Sequence, residues 1–225
     1  MVDDGAWRGP VWWAVVRERA AACWWQLLLV NLVFAVAGNV LASVVGRSGA
    51  APEAAAALLF AAGAALSAWR WSAQLRLLTG QSDLPAAFRA ERGPVLRLAL
   101  LGAAVDLPGL AWLLSVLLPG GYDLLVRPVL PLLDPVALYL LAVAALLPMA
   151  VLLEGRDLRR SWQLLHGSWR STVRIGLVVL AHAALNRALP GPLPGLVLEA
   201  AFAVLLFGCY RVSAGADNSL ARNTS

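Results

Sequence analysis

The stretch CWWQLLLVNLVFAVAGNVLASVV, Cys23 to Val45, runs for 23 residues without a charge. As a helix rising about 1.5 Å per residue it is long enough to cross roughly 30 Å of hydrocarbon. It follows an arginine-bearing segment and is longer than the apolar core of a cleavable signal, so it reads as a span rather than a leader.

Working outward, five more apolar stretches follow: Ala54 to Trp69, Leu98 to Leu118, Pro135 to Leu153, Ile175 to Leu189 and Leu196 to Tyr210. Trp69 and Trp71 suit an interfacial aromatic belt. Pro148 marks a kink in the fourth stretch. The fifth and sixth are joined by Pro190-Gly191-Pro192-Leu193-Pro194-Gly195, which cannot continue a helix and fits a tight hairpin.

The composition agrees with this reading. Of the 225 residues 60% are hydrophobic and 14% charged, where a soluble domain carries about 25% charged. All 18 basic residues are arginine, which together with the Ala/Leu/Gly/Pro richness reads as genomic bias. Counted along the chain between spans, with Arg187 at the end of the fifth stretch snorkelling to the turn after it, the arginines fall as 3, 1, 5, 1, 5, 1 and 2. That alternation predicts six spans with both termini in the cytoplasm. The net charge of +5 sits beside spans, where it meets anionic lipid, so no soluble basic face is left for nucleic acid. Cys23 and Cys209 fall at cytoplasmic span edges, a reducing side, and read as packing residues.

A weak periodicity overlays the spans. Asp83-Leu84 is followed by Phe88, Arg92 and Gly93; Asp157-Leu158 is followed at the same offsets by Trp162, His166 and Gly167, a shift of 74 residues. Trp13 and Arg17 form a fainter third copy. The expected architecture is an all-α integral membrane fold, one membrane domain over 1–225. Its repeat units are approximately 1–75, 76–150 and 151–225, each a cytoplasmic amphipathic helix followed by a hairpin. The third amphipathic segment, Asp157 to Arg174, has Leu158, Trp162, Leu165 and Trp169 on one stripe. Arg159, Arg160, His166, Arg170 and Arg174 lie opposite, as in a helix lying in the headgroup plane. It reads as a topological anchor first and as a contact for lipid or a partner second.

The stretch LLEGRDLRRSWQLLHGSWRSTVRIGLVVL, Leu152 to Leu180, resembles the loop-to-span signature of bacterial six-span proteins grouped with the glycerophosphoryl diester phosphodiesterase membrane domain. The matching pieces are Glu154-Gly155, Arg160-Ser161-Trp162, Gly167 and Trp169 to Leu180. The resemblance implies a membrane fold and carries over no catalytic residue, because the phosphodiesterase chemistry belongs to a separate soluble domain for which these residues leave no room.

Polar residues inside spans are costly and mark candidate sites. Asp106 lies near the middle of the third span, followed by Pro108 and Gly109, a helix breaker of the kind that exposes backbone carbonyls in transporters; it reads equally as a structural aspartate hydrogen-bonded to a neighbouring helix. His182 and Asn186 share a helical face, and Glu199 in the next span is placed to meet Arg187 or Asn186. Asn31 and Asn39 read as interhelical hydrogen-bonding residues. His182-x-x-x-Asn186 is similar to the last motif of intramembrane CAAX-type proteases, but the paired glutamates followed by arginine and the Phe-x-x-x-His element are missing, so no zinc constellation forms. No serine dyad within a span, P-loop or dinucleotide fingerprint appears. The sequence therefore carries no metal, cofactor or enzyme signature. The expectation is a permease-like or transport-associated protein of the plasma membrane, any ATP-driven step requiring a separate ATPase subunit. The alternative is a scaffold binding lipid or a partner through 157–174.

Overall fold

The computed structural model describes residues 9–81, 83–89, 91–106 and 130–223. These are helical, with no strand among them. In chain order the helices are α1 (Gly9–Arg47), α2 (Pro52–Thr79), α3 (Leu84–Ala87), α4 (Arg92–Val105), α5 (Leu130–Ala145), α6 (Leu147–Leu152), α7 (Leu158–His166), α8 (Trp169–Ala188) and α9 (Pro192–Asn223). Three are long and apolar enough to cross a membrane: Trp12–Arg47 of α1, α2 itself, and Pro192–Ala214 of α9. These features make the chain an α-helical membrane protein.

Local chemistry explains where the helices stop. After α1, the Ser48 hydroxyl donates to the Val45 carbonyl at 2.7 Å and Gly49 takes φ +66°, while Pro52 opens α2 at a position needing no N–H. α2 ends at Gly80 (φ +72°), where the Gly80 and Gln81 amides donate to the Leu77 and Arg76 carbonyls. Asp83 and Asp157 each stand in extended backbone just ahead of a short helix, and Asp157 accepts from the Arg160 amide. Ser168 caps α8 by accepting from the Ser171 amide at 3.1 Å.

The fourth apolar stretch is divided at Leu146 into α5 and α6, two residues before Pro148, whose ring and missing N–H interrupt the ladder. The expected single helix over Asp157–Arg174 is also divided. Gly167 and Ser168 separate α7 from α8, because Ser168 is in extended backbone and starts a new helix at Trp169. The proposed stripe of Leu158, Trp162, Leu165 and Trp169 is therefore not one face. Ser161, Leu164 and Leu165 are buried, whereas Trp162 and Trp169 are exposed.

The main core joins α1, α2, α5, α6, α7, α8 and α9 through residues such as Leu27, Val30, Leu78, Leu146, Met149, Ile175 and Leu206. A smaller cluster of Ala68, Leu98, Ala99, Leu147 and Val151 ties α4 and α6 to α2. α1 and α9 cross closely at Gly208, where a Cβ would lie 2.7 Å from Val16 Cγ2 and 2.9 Å from Trp12 Nε1. At the other end of that contact the Asn31 amide donates to the Leu196 carbonyl at 3.3 Å.

Candidate functional site

Two polar groups meet where α1, α2, α8 and α9 converge. The first is a buried amide pair. Gln74 Nε2 donates to Asn31 Oδ1 at 2.8 Å, and both residues are at most 2% exposed. Asn31 then reaches the Leu196 carbonyl, so one side chain links α1 to both α2 and α9. Removing either amide would strand the other in an apolar setting. Asn31 thus plays the interhelical role expected of it. Asn39 does not join it; it is exposed beside Val36, Val40 and Ser43 on the far half of α1.

The second group is ionic. Glu199 on α9 accepts Arg70 of α2, with Nη2 to Oε2 at 3.1 Å. Its other oxygen, Oε1, faces His182 Nε2 of α8 at 3.5 Å. The His182 ring lies flat against Phe202, with centroids 4.1 Å apart and planes at 19°, and Phe202 in turn meets the edge of Trp71. The imidazole therefore has an aromatic wall on one face and a carboxylate at its edge. At 3.5 Å His182 Nε2 is within ion-pair range but makes no hydrogen bond, and the enclosed Arg70 Nε makes none either. The carboxylate is held between a fixed cation and a titratable ring, with nitrogen sites left over.

The partners differ from the sequence expectation. Glu199 meets Arg70 and His182 rather than Arg187 or Asn186, both of which are exposed near the α8–α9 turn. His182 points to α9, against Glu199 and Phe202, whereas Asn186, one turn later, is exposed. Asp106 is not in the interior of a described helix: it closes α4, exposed, with its amide bonded to the Gly102 carbonyl at 2.9 Å. The rest of the third span, residues 107–118, lies outside the described residues.

Sequence reasoning missed Arg70 and Gln74. Arg70 directly follows the Ala54–Trp69 stretch, where an arginine reads as an ordinary flanking charge, yet α2 continues to Thr79 and places Arg70 and Gln74 one turn apart on one side. An arginine followed four residues later by an amide, within a helix that does not stop, was the available signal.

The residues of α7 and the start of α8 form a separate surface. Arg160 does not face phosphate freely; its Nε holds Glu154 Oε2 at 2.7 Å. The Trp162 indole donates to the Tyr139 hydroxyl at 3.1 Å and stacks on His166 at 4.6 Å. Arg159 is exposed, Arg170 half-buried, and Trp169 is 71% exposed at the start of α8. Among the described residues no group of three or more His, Cys, Asp or Glu gathers as a metal-ligand set. No family model, curated protein or solved structure matches the chain, so the resemblance of Leu152 to Leu180 rests on those residues alone.

Proposed function

We propose that this is a permease-like, transport-associated protein of the plasma membrane, working through the Arg70–His182–Glu199 cluster. The carrying observation is that a carboxylate, a guanidinium and an imidazole from three different helices meet, each partly buried, between apolar helices. Charges placed there are expensive, and sequences retain them where ions or protons are handled.

The chemistry follows from the charges. With His182 neutral, Arg70 and Glu199 cancel. A proton on His182 leaves a net positive charge and turns the 3.5 Å contact with Glu199 into an ion pair competing with Arg70. Since Arg70 and Glu199 belong to different helices, that competition biases how α2 sits against α8 and α9. Proton-coupled solute movement is the form of transport this arrangement serves. The arginine distribution supports cytoplasmic termini and holds for any even number of crossings.

The test is solid-supported-membrane recording on proteoliposomes challenged with a panel of solutes. Wild type is expected to give solute-dependent charge displacement, and Glu199→Gln to reduce it at least tenfold while inserting normally. A displacement unchanged in Glu199→Gln counts against the reading. A second reading, a scaffold contacting anionic lipid or a partner, is supported by the exposed Trp162 and Trp169 beside Arg159 and Arg170. It requires that neutralising those arginines abolish an association that Glu199→Gln leaves intact; co-purification in mild detergent, including any ATPase subunit, separates the two.

A further inference from the structure

The axial register of α9 does not match a hairpin that reaches the outer surface. Leu196, four residues into α9, is bonded to Asn31 of α1. α1 continues for 16 residues beyond Asn31 to Arg47, which at about 1.5 Å per residue is about 24 Å. The same level on α2 is marked by Gln74, which is 22 residues, or about 33 Å, inside the start of that helix at Pro52. Going back from Leu196 to the beginning of α9 at Pro192 recovers only about 6 Å. The two rulers leave the α8–α9 turn about 18 Å and about 27 Å short of the α1–α2 turn.

Three further observations agree. At its other end α9 meets Val16 and Trp12 through Gly208, so its contact with α1 runs along the N-terminal half of α1. Buried residues of α1 end at Asn31 and resume only at Val45, beside its own turn; those of α2 lie between Ala68 and Leu78, apart from Ala56. Gly38 and Gly63, in the halves beyond the hairpin, have open space where a Cβ would be.

We propose that the α8–α9 hairpin is re-entrant: it enters from the cytoplasmic side, turns within the bilayer and returns, so α8 and α9 add no full crossing. The termini stay on one side. Sliding the hairpin outward by the missing distance, about 18 to 27 Å, would break the Asn31–Leu196 bond and the Arg70–Glu199 pair together, so the ion cluster and a full crossing exclude each other. A turn inside the bilayer must be hydrated or enclosed by protein, and the exposed Asn186 and Arg187 beside it call for water. The ion cluster thereby sits close to a wet recess. The register alone carries this inference, which does not depend on the transport reading.

The experiment uses the full chain with Cys23→Ala and Cys209→Ala, and single cysteines placed at Ser48, Leu189 or Leu193. Spheroplasts are treated from outside with a bulky polyethylene-glycol maleimide that cannot enter a recess, then denatured to count all thiols. Ser48→Cys is expected to label, and Leu193→Cys and Leu189→Cys to label at less than a tenth of that extent, becoming reactive on denaturation. Labelling of either hairpin position as complete as at Ser48 overturns the proposal. So does failure of Ser48→Cys to label, because the α1–α2 turn then does not lie outside. Two hairpin positions guard against one variant misfolding.

Discussion

α1 is one helix with two environments. From Trp12 to Asn31 it packs on α9 and α2, burying Val16, Cys23, Leu27 and Val30 and satisfying Asn31 twice. From Leu32 to Val44 it exposes Leu32, Val33, Val36, Val40 and Val44. The exposed half is the more apolar of the two, with Asn39 and Ser43 as its polar side chains against Arg17, Glu18, Arg19, Gln26 and Asn31 in the packed half, so apolarity does not decide which half gathers neighbours. In a membrane lipid solvates leucine as well as another helix does, leaving exposed apolar residues at little cost. What needs protein partners is the polar group, and the polar groups of α1 with described partners lie in its N-terminal half.

That contrast can be broken by volume. Gly208→Leu is expected to have the largest effect, because its side chain would enter the space of Val16 and Trp12. A loss of about 3 kcal/mol or more, seen as a lower melting temperature in detergent, is expected from such overpacking. Gly38→Leu is the matched control in the outer half and should stay within about 0.5 kcal/mol, as for an uncrowded site. Equal effects at the two glycines would show that the halves are packed alike.

Charge and hydrogen bonding sharpen it further. Glu199→Gln removes the anion between Arg70 and His182; stability should fall by about 1–3 kcal/mol, with Glu199→Gln/Arg70→Gln less affected than the sum of its singles. An additive double variant would mean that the pair is not coupled. Gln74→Leu leaves the Asn31 amide oxygen without its donor, at a cost of about 0.6–1.7 kcal/mol, the range for hydrogen bonds within membranes. Asn39→Leu, on the outer half of the same helix, is expected to cost less than Gln74→Leu in the same thermal assay.

The smallest change is at a helix end. Ser168→Ala removes the acceptor for the Ser171 amide and should cost about 1 kcal/mol, reported by faster hydrogen exchange in the first turn of α8. Unchanged exchange there would show that the boundary between α7 and α8 does not depend on its cap.

Much of the secondary structure was legible. Uncharged runs longer than a bilayer is thick leave a helix as the only structure that pairs its own backbone, and Pro148, Gly49 and Gly80 punctuate by steric rules acting within a few residues. The break at Ser168 was not foreseen, since the stripe from Leu158 to Trp169 satisfies helical spacing while a serine cap four residues after Leu164 competes with it. The site was half legible. His182 and Glu199 stood out as charges within apolar runs, whereas Arg70 looked like an ordinary flanking arginine.

The sequence by itself determined that this chain belongs in a membrane as helices, because hydropathy acts on each segment separately. Only the tertiary structure decided that Glu199 meets Arg70 and that α9 begins level with the middle of α1. Those pairings depend on shape and charge shared between segments far apart in the chain, such as the gap at Gly208 that admits Trp12 and Val16. Hydropathy has no preference for axial position once a segment is inside the apolar layer, so helix register is set where side chains meet.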